Sequence, residues 1–349
     1  MTQQAPSISE IKVAVIIPTF NRADILLSAI ESVLEQQPQD PFELFVVDNN
    51  SNDGTKEAID AYVKQSQNVR YLFEPLPGAS RARNLGITCA RADIVAFLDD
   101  DVRAGEGWIE TIIDTFDRHP NVTFIGGKVL PDWCESPPEW LTRDRWSPLA
   151  LVDYGDRAFY IDRDRPVCLV SANLAIRRSA FDEFGLFNEK FLRCEDHELE
   201  DRILNAGGRG LYVPTLKVHT TVPPVRLLKD YHRRWHSERG FWLARVSALR
   251  IGEESRPTGQ MLPESALFEV PASMYRQLVT SLLNWLKSAV SQNEHASFKY
   301  ETDFRYFRSF IKERYKLAKV RFNLKALKDL VAFVSTLLFE KLGVKGRSK

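Results

Sequence analysis

Three consecutive carboxylates, Asp99, Asp100 and Asp101, follow directly on the apolar run 94–98. In an extended chain alternate side chains share a face, so Asp99 and Asp101 are expected to converge. Two carboxylates at a strand mouth suit a hard divalent cation such as Mg2+ or Mn2+, which takes oxygen ligands and shares itself with substrate phosphates. The plain alternative is three solvated acids in a turn, where Asp is common. The chain holds no GxxxxGK[ST] phosphate cradle and no GxGxxG fingerprint, so a cation would stand in for the glycine-rich loop. Cys89, Cys134, Cys168 and Cys194 include no CxxC pair, which disfavours a zinc ribbon or disulfide framework and points to a reducing compartment. His232 and His236, spaced i, i+4 among Arg233, Arg234 and Arg239, read as a basic helix face rather than a metal cage.

The elements that must position the triplet are legible as alternating apolar runs and helical patterns, the signature of βαβ units and a mostly parallel sheet. Strands are expected over 13–17, 42–47, 69–73 and 94–98, each stopping at a turn or acidic residue, and helices over 23–36, 54–65 and 80–89. Ligands of such sheets bind beyond the carboxyl ends of the strands, so the polar residues there are site candidates. Residues 131–148, rich in Pro and carrying Trp133, Trp140 and Trp146, read as a long irregular loop. A strand is expected over 167–176, a helix over 196–205 ending at Gly207-Gly208, and a strand over 216–219 before Pro223-Pro224. No repeat or low-complexity tract is present.

Before the triplet, and in this order, come Val13-Ala14-Val15-Ile16-Ile17-Pro18-Thr19-Phe20-Asn21-Arg22, then Val46-Val47-Asp48-Asn49-Asn50-Ser51-Asn52-Asp53-Gly54-Thr55, then Ala82-Arg83-Asn84-Leu85-Gly86-Ile87. Jointly these motifs resemble inverting family 2 glycosyltransferases over roughly residues 12–221. The resemblance implies an α/β GT-A fold, a metal-dependent nucleotide-diphospho-sugar donor (UDP as first choice), and inverting transfer to an acceptor hydroxyl. By matching position, Pro18, Thr19, Asn21 and Arg22 fall on the first donor loop. Asp48, with Asn50 beside it, falls on the acceptor for a nucleobase N–H, which a carboxylate can pair and a cation cannot. Capping of the following turn is the plain reading of Asp48. Arg83 would meet the donor's nucleotide or phosphates, or be an ordinary surface arginine. Asp99 and Asp101 take the ends of the DxD motif and its metal, with Asp100 in the variable donor-side position.

The resemblance continues in Cys194-Glu195-Asp196-His197-Glu198-Leu199, which implies Asp196 as the base that deprotonates the acceptor, with Glu195 as runner-up. Crowding by Glu195 and Glu198 would raise that carboxyl, whereas acids at a helix start can equally serve the macrodipole. His219 falls where relatives place a further metal ligand, although a lone strand-end histidine is commonly structural. Trp108 and the loop tryptophans are either sugar platforms or core.

The formal charge of the whole chain is zero, with 47 basic and 47 acidic residues, which sets aside a nucleic-acid coat. It divides unevenly: residues 1–224 carry 23 basic and 35 acidic groups, residues 225–349 carry 24 and 12. The expected organisation is a flexible segment 1–11, a catalytic domain 12–224 and a basic helical region 225–349 ending in an amphipathic helix around 324–342. Such a basic, aromatic end suits anionic lipid headgroups, a partner, or the acidic domain itself; no nucleic-acid reader is visible. No run reaches the ~18–20 apolar residues of a spanning helix and the N-terminus has no signal pattern, so a cytoplasmic protein, peripheral on the inner membrane face, is expected. The partners would be a nucleotide-sugar and a glycan or lipid-linked acceptor in polysaccharide assembly. The alternatives are a sugar-phosphate nucleotidyltransferase of similar architecture, whose glycine-rich basic signature is missing, and a non-catalytic nucleotide-sugar-binding scaffold.

Overall fold

A computed structural model describes residues 11–253, 266–267 and 270–318 and divides into two compact units, Met1–Leu227 and Leu228–Lys349. The first opens with β1 (Val13–Thr19), α1 (Ala23–Leu34), β2 (Phe42–Asp48), α2 (Thr55–Gln65), β3 (Val69–Phe73), α3 (Ala79–Cys89) and β4 (Ile94–Phe97). These four strands are parallel in the order β3-β2-β1-β4. Val13 to Ile17 are wholly buried, as expected of parallel strands covered on both faces. The register pairs Thr19 with Asp48, which sets the first two candidate loops side by side. Gly86 lets α3 close onto β1: a Cβ there would sit 2.7 Å from the Ile16 side chain. Filling that contact forces a shift costing about 1–3 kcal/mol.

The rest of the first unit is β5 (Val102–Ala104), α4 (Trp108–Arg118), β6 (Phe124–Trp133), β7 (Phe159–Ile161), β8 (Leu174–Arg177), α5 (Arg178–Phe184), α6 (Glu195–Asn205) and β9 (Gly210–Val222). β8 runs antiparallel between β4 and β6. β9 is parallel to β6 but antiparallel to β5 and β7. One half of the sheet is thus purely parallel and the other mixed, a GT-A arrangement. Gly127 marks the irregularity where the β6–β9 register shifts; a Cβ there would overlap the Leu216 carbonyl.

Several expected boundaries move. α1 ends at Leu34. The loop expected from 131 begins later, because Pro131 to Trp133 still pair with β9. The strand expected over 167–176 is a 3-10 turn, Ser171–Asn173, followed by β8. The first unit ends at Leu227 rather than Pro224, since the 3-10 turn Pro224–Leu227 sends Arg226 to Asp101 and buries Leu227.

The second unit has α7 (Lys229–Glu253), a hairpin of β10 (Ala266–Leu267) and β11 (Val270–Pro271), α8 (Ala272–Val290) and α9 (Glu294–Leu317). Arg233 forms a two-pronged pair with Glu301 at 2.8 and 2.9 Å, and Arg245 meets Glu313 at 2.9 Å, joining α7 to α9. His232 is buried with its ring near Phe298, so it belongs to this packing and not to the solvated basic face the sequence suggests. The amphipathic stretch around 324–342 lies outside the described residues. No described helix is long and apolar enough to cross a membrane.

Candidate active site

At the carboxyl ends of β1, β2 and β4 the candidate loops are tied into one network. Asn21 takes a left-handed conformation, φ 52°, which asparagine tolerates better than most residues. Its side-chain carbonyl accepts from the Asn52 N–H at 2.8 Å, and its own N–H donates to Ser51 Oγ at 2.9 Å. Asn50 is also left-handed, φ 69°, and exposed. Asn21 therefore couples the loop after β1 to the loop after β2. Pro18 pairs with Val47 inside the ladder, shaping the loop rather than entering it.

Asp48 ends β2 and is buried. One oxygen accepts from the Ser51 N–H at 2.8 Å and the other from the Tyr71 hydroxyl at 2.8 Å. The turn-capping reading is therefore present in the structure. A carboxylate has about four acceptor positions, however, and Asp48 with Tyr71, Phe73 and Lys56 lines a recess of about 430 Å³. Burial, then the Asp48 contact, raises the Tyr71 hydroxyl well above its ordinary value, which keeps it a donor.

The aspartate triplet is held by arginines. Asp100 accepts from Thr19 Oγ1 at 2.9 Å and from Arg22 at 2.8 Å. Asp101 accepts from Arg22 at 3.1 Å and from Arg226 at 3.2 Å, while its backbone carbonyl takes the Thr220 hydroxyl at 3.2 Å. Asp99 accepts from Arg83 at 3.0 Å. Burial pushes Asp100 up to about 6, against the opposing pull of Arg22 and Thr19, and burial also raises Asp99 against Arg83. Asp100, the variable position in the sequence pattern, thus joins Asp101 in tying the first loop to the triplet, through both Thr19 and Arg22.

Arg83 spans two parts of the site. Its guanidinium donates to Asp99 at 3.0 Å and to Glu195, the first residue of α6, at 2.7 Å. Its Nε is buried with no hydrogen-bond partner. Burial alone would lower this guanidinium, but Asp99, Glu195 and Asp196 outweigh it and raise it further. Neighbouring Asn84 exchanges two hydrogen bonds with the Phe187 backbone, at 2.9 and 3.0 Å, fixing the segment that leads into α6.

Asp196 has no guanidinium within hydrogen-bond contact among the described interactions. It accepts the Ser171 N–H at 3.3 Å and the His197 N–H at 2.7 Å. Burial, then the nearby Glu195 charge, pushes it up to about 7, the range in which a carboxyl can exchange a proton near neutral pH. One helical turn on, buried Glu200 accepts the Leu169 N–H with both oxygens, at 3.0 and 3.2 Å, and burial raises it well above the usual carboxylate range. Asp196 and Glu200, spaced i, i+4 on α6, therefore grip alternate N–H groups of one extended segment. Glu198 chelates Arg202 at 2.8 and 3.0 Å, and Arg202 also reaches the carbonyls of Phe184 and Leu186.

His219 meets Asp132 at 3.2 Å, and Asp132 in turn takes Arg103. Successive β9 residues face opposite ways, and it is Thr220 that contacts the triplet. Asp99, Asp101 and His219 do not form a three-ligand group; among the described residues none exists. Trp108 is buried and donates to Asn173 at 2.8 Å, so it is core and not a sugar platform. Sequence reasoning missed Arg226, Glu200, Thr220 and Tyr71. Only Glu200 left a signal, its i+4 spacing from Asp196.

Residues 14–185 match the family model Glycosyl transferase family 2. This chain belongs to that family. The glycosyltransferase is 28% identical over 241 residues to the glucosyl-dolichyl phosphate glucuronosyltransferase of Haloferax volcanii, covering 66% of this chain and 74% of the relative. Among solved structures it resembles GalNAc-T7 with UDP, GalNAc and Mn2+, TM-score 0.50 at 18% identity, covering 72% of this chain and 52% of that one. It also resembles S. aureus TarS, TM-score 0.51 at 16% identity, covering 83% and 55%. The chain spans about half the length of each of these two structures, and the likeness shows the fold.

The glycosyltransferase's donor set suits a divalent cation by chemistry: Asp99 and Asp101 offer hard oxygens at a strand end, and the Asp99 side chain is one-third exposed. It is an incomplete set, which fits a cation that takes its remaining ligands from diphosphate and water.

Proposed function

We propose that this glycosyltransferase moves a sugar from a nucleotide-diphospho-sugar, with UDP as the carrier, to a hydroxyl of a glycan or lipid-linked acceptor with inversion at the anomeric carbon. The observation that carries the reading is the Arg83 bridge. One guanidinium joins Asp99 of the triplet to Glu195 at the start of α6, so the diphosphate side and the acid-bearing helix are held within the span of one side chain. The Haloferax relative's name specifies a lipid phosphate-linked substrate, and GalNAc-T7 was crystallised with UDP and Mn2+; both favour these choices of acceptor and donor. Polysaccharide assembly is the setting in which such a transfer fits.

In this mechanism Asp48 accepts the nucleobase imide N–H in its recess, a charge-assisted bond worth about 1.5–3 kcal/mol. Arg22 and Arg226 flank the triplet as phosphate donors, and Arg83 fixes the geometry between the halves. Asp99 and Asp101 would hold the cation. When bound, a divalent cation offsets the charge that gathers on the departing nucleoside diphosphate. Asp196 takes the proton of the acceptor hydroxyl as that oxygen attacks the anomeric carbon, opposite the breaking bond to diphosphate. Glu195, paired with Arg83, is the less available base.

A panel of nucleotide-sugars with Mn2+ or Mg2+ tests this. The matching donor should raise the melting temperature, because a ligand that binds only the native state stabilises it. It should then yield free nucleoside diphosphate and a product of inverted anomeric configuration by NMR. Release of pyrophosphate from a nucleoside triphosphate would indicate a nucleotidyltransferase instead, and donor binding without turnover on any acceptor would indicate a scaffold.

A further inference from the structure

The second unit carries a surface that the transfer reaction does not use. On α8, Val279, Leu283, Leu286 and Val290 are 48%, 51%, 55% and 87% exposed. Their 4-3-4 spacing confines them to a stripe about 60° wide at 100° per residue. This is not the packing face of the helix. Tyr275, whose hydroxyl lies 2.6 Å from that of Tyr315, and Trp285, with its ring 5.8 Å from Phe304, turn toward α9, and Ser281 and Ser288 are buried.

The charges of α8 are one-sided. Its sequence contains Arg276 and Lys287, both exposed, and no Asp or Glu. The helical period places both cations along one margin of the stripe. We propose that this face docks on an anionic lipid bilayer, the four apolar side chains entering the headgroup boundary and the two cations meeting lipid phosphates. An apolar stripe bordered by Lys and Arg is the pattern of a helix lying in a membrane interface. On α9 of the same unit, Arg308, Lys312 and Lys316 are also exposed, at i, i+4, i+8.

Charge and area favour lipid over a second copy of the chain. Another α8 has no acid to receive these cations. A stripe about 16 Å long and four side chains deep falls short of the ~800 Å² per partner of a stable interface. The inference is independent of donor, acceptor and base.

The full-length protein is floated with phosphatidylcholine–phosphatidylglycerol vesicles and with pure phosphatidylcholine vesicles. The wild type is expected to float with the first and far less with the second. Leu283→Glu/Leu286→Glu should reduce flotation at least about tenfold, and Arg276→Gln/Lys287→Gln should remove the preference for anionic lipid. Val290→Trp, at an exposed position, should fluoresce blue-shifted on adding anionic vesicles; this variant leaves the packing face untouched and reports even if the double variant fails to fold. An unshifted spectrum, absence of wild-type flotation, or undiminished flotation of a folded double variant overturns the proposal. So does a wild-type dimer in light scattering that the double variant converts to monomer. Donor-induced thermal stabilisation should be the same in every folded variant, which separates this result from the active-site reading.

Discussion

The carboxylates after β4 and those on α6 are the same chemical group in opposite surroundings. Asp99, Asp100 and Asp101 each contact at least one guanidinium, from Arg83, Arg22 or Arg226. Glu200 is buried and Asp196 half-buried, and both carboxyls meet backbone N–H groups. An arginine partner favours the charged carboxylate that a diphosphate-bound cation requires. Burial against uncharged donors favours the protonated form and brings Asp196 to about 7. The difference divides the two regions by what opposes burial: guanidiniums in hydrogen-bond contact pull Asp99 and Asp100 back toward the charged form, though both stay raised, Asp100 to about 6, whereas Asp196 reaches about 7 with Arg83 acting only from beyond hydrogen-bond contact.

The sharpest way to break that division is to remove a charge from the first region. Asp101→Asn should lower transfer by about 10²–10³-fold or more, the scale of losing a preorganised electrostatic contact, with circular dichroism unchanged; chelation of divalent cations should do the same to the wild type and be reversed by Mn2+. Near wild-type turnover of the folded variant would remove Asp101 from the cation site.

In the second region Asp196→Asn should reduce kcat about 10²–10⁴-fold while calorimetry finds donor affinity unaltered. The sign of its pH effect follows from the raised carboxyl. Between the ordinary carboxylate value and about 7 the native state holds a proton that the unfolded chain has released, so wild-type stability falls as pH rises through that window. Asp196→Asn should therefore gain melting temperature relative to wild type at pH 8 but not at pH 4, by on the order of 2–4 °C for each kcal/mol relieved. The wild-type kcat/KM should show an acid limb near 7; a limb confined below pH 5 would assign the base elsewhere.

Asp48→Ala leaves both regions intact and should raise the donor KM about 10–100-fold, the loss of one charge-assisted hydrogen bond, with little change in kcat. The smallest effect is expected at Glu200. Glu200→Gln retains an acceptor for the Leu169 N–H and should be nearly silent at neutral pH, whereas Glu200→Leu strands that N–H, costs about 1–3 kcal/mol, and should lower kcat with donor KM unchanged. Equal behaviour of the two variants would show that Glu200 does not position Asp196.

The parallel half of the fold was readable because the run over 13–17 is continuously apolar and that over 42–47 is broken only by Glu43, leaving no solvent-facing alternation to confuse them, and their turns fall at Pro18 and Asp48. The mixed half was not. β5 is three residues long, β6 carries the pair Gly126-Gly127, and the β6–β9 register shifts at Gly127, so their pairing depends on partners far away in sequence. For the same reason Trp108 was left open between platform and core, and His232 was placed on the basic face although it is buried, since burial is a property of what packs against a side chain. Motif order singled out Asp99, Asp101 and Asp196 as candidates, whereas Arg226 and Thr220 reach the triplet from more than a hundred residues away.

Local sequence determined which residues carry ionisable oxygen and at which strand or helix end they stand, because periodicity and turn chemistry act over a few neighbours. Only the tertiary structure decided which of those acids meets an arginine and which is shut away against backbone N–H groups. That choice sets each proton affinity, because desolvation and Coulomb terms depend on distances through space and not along the chain.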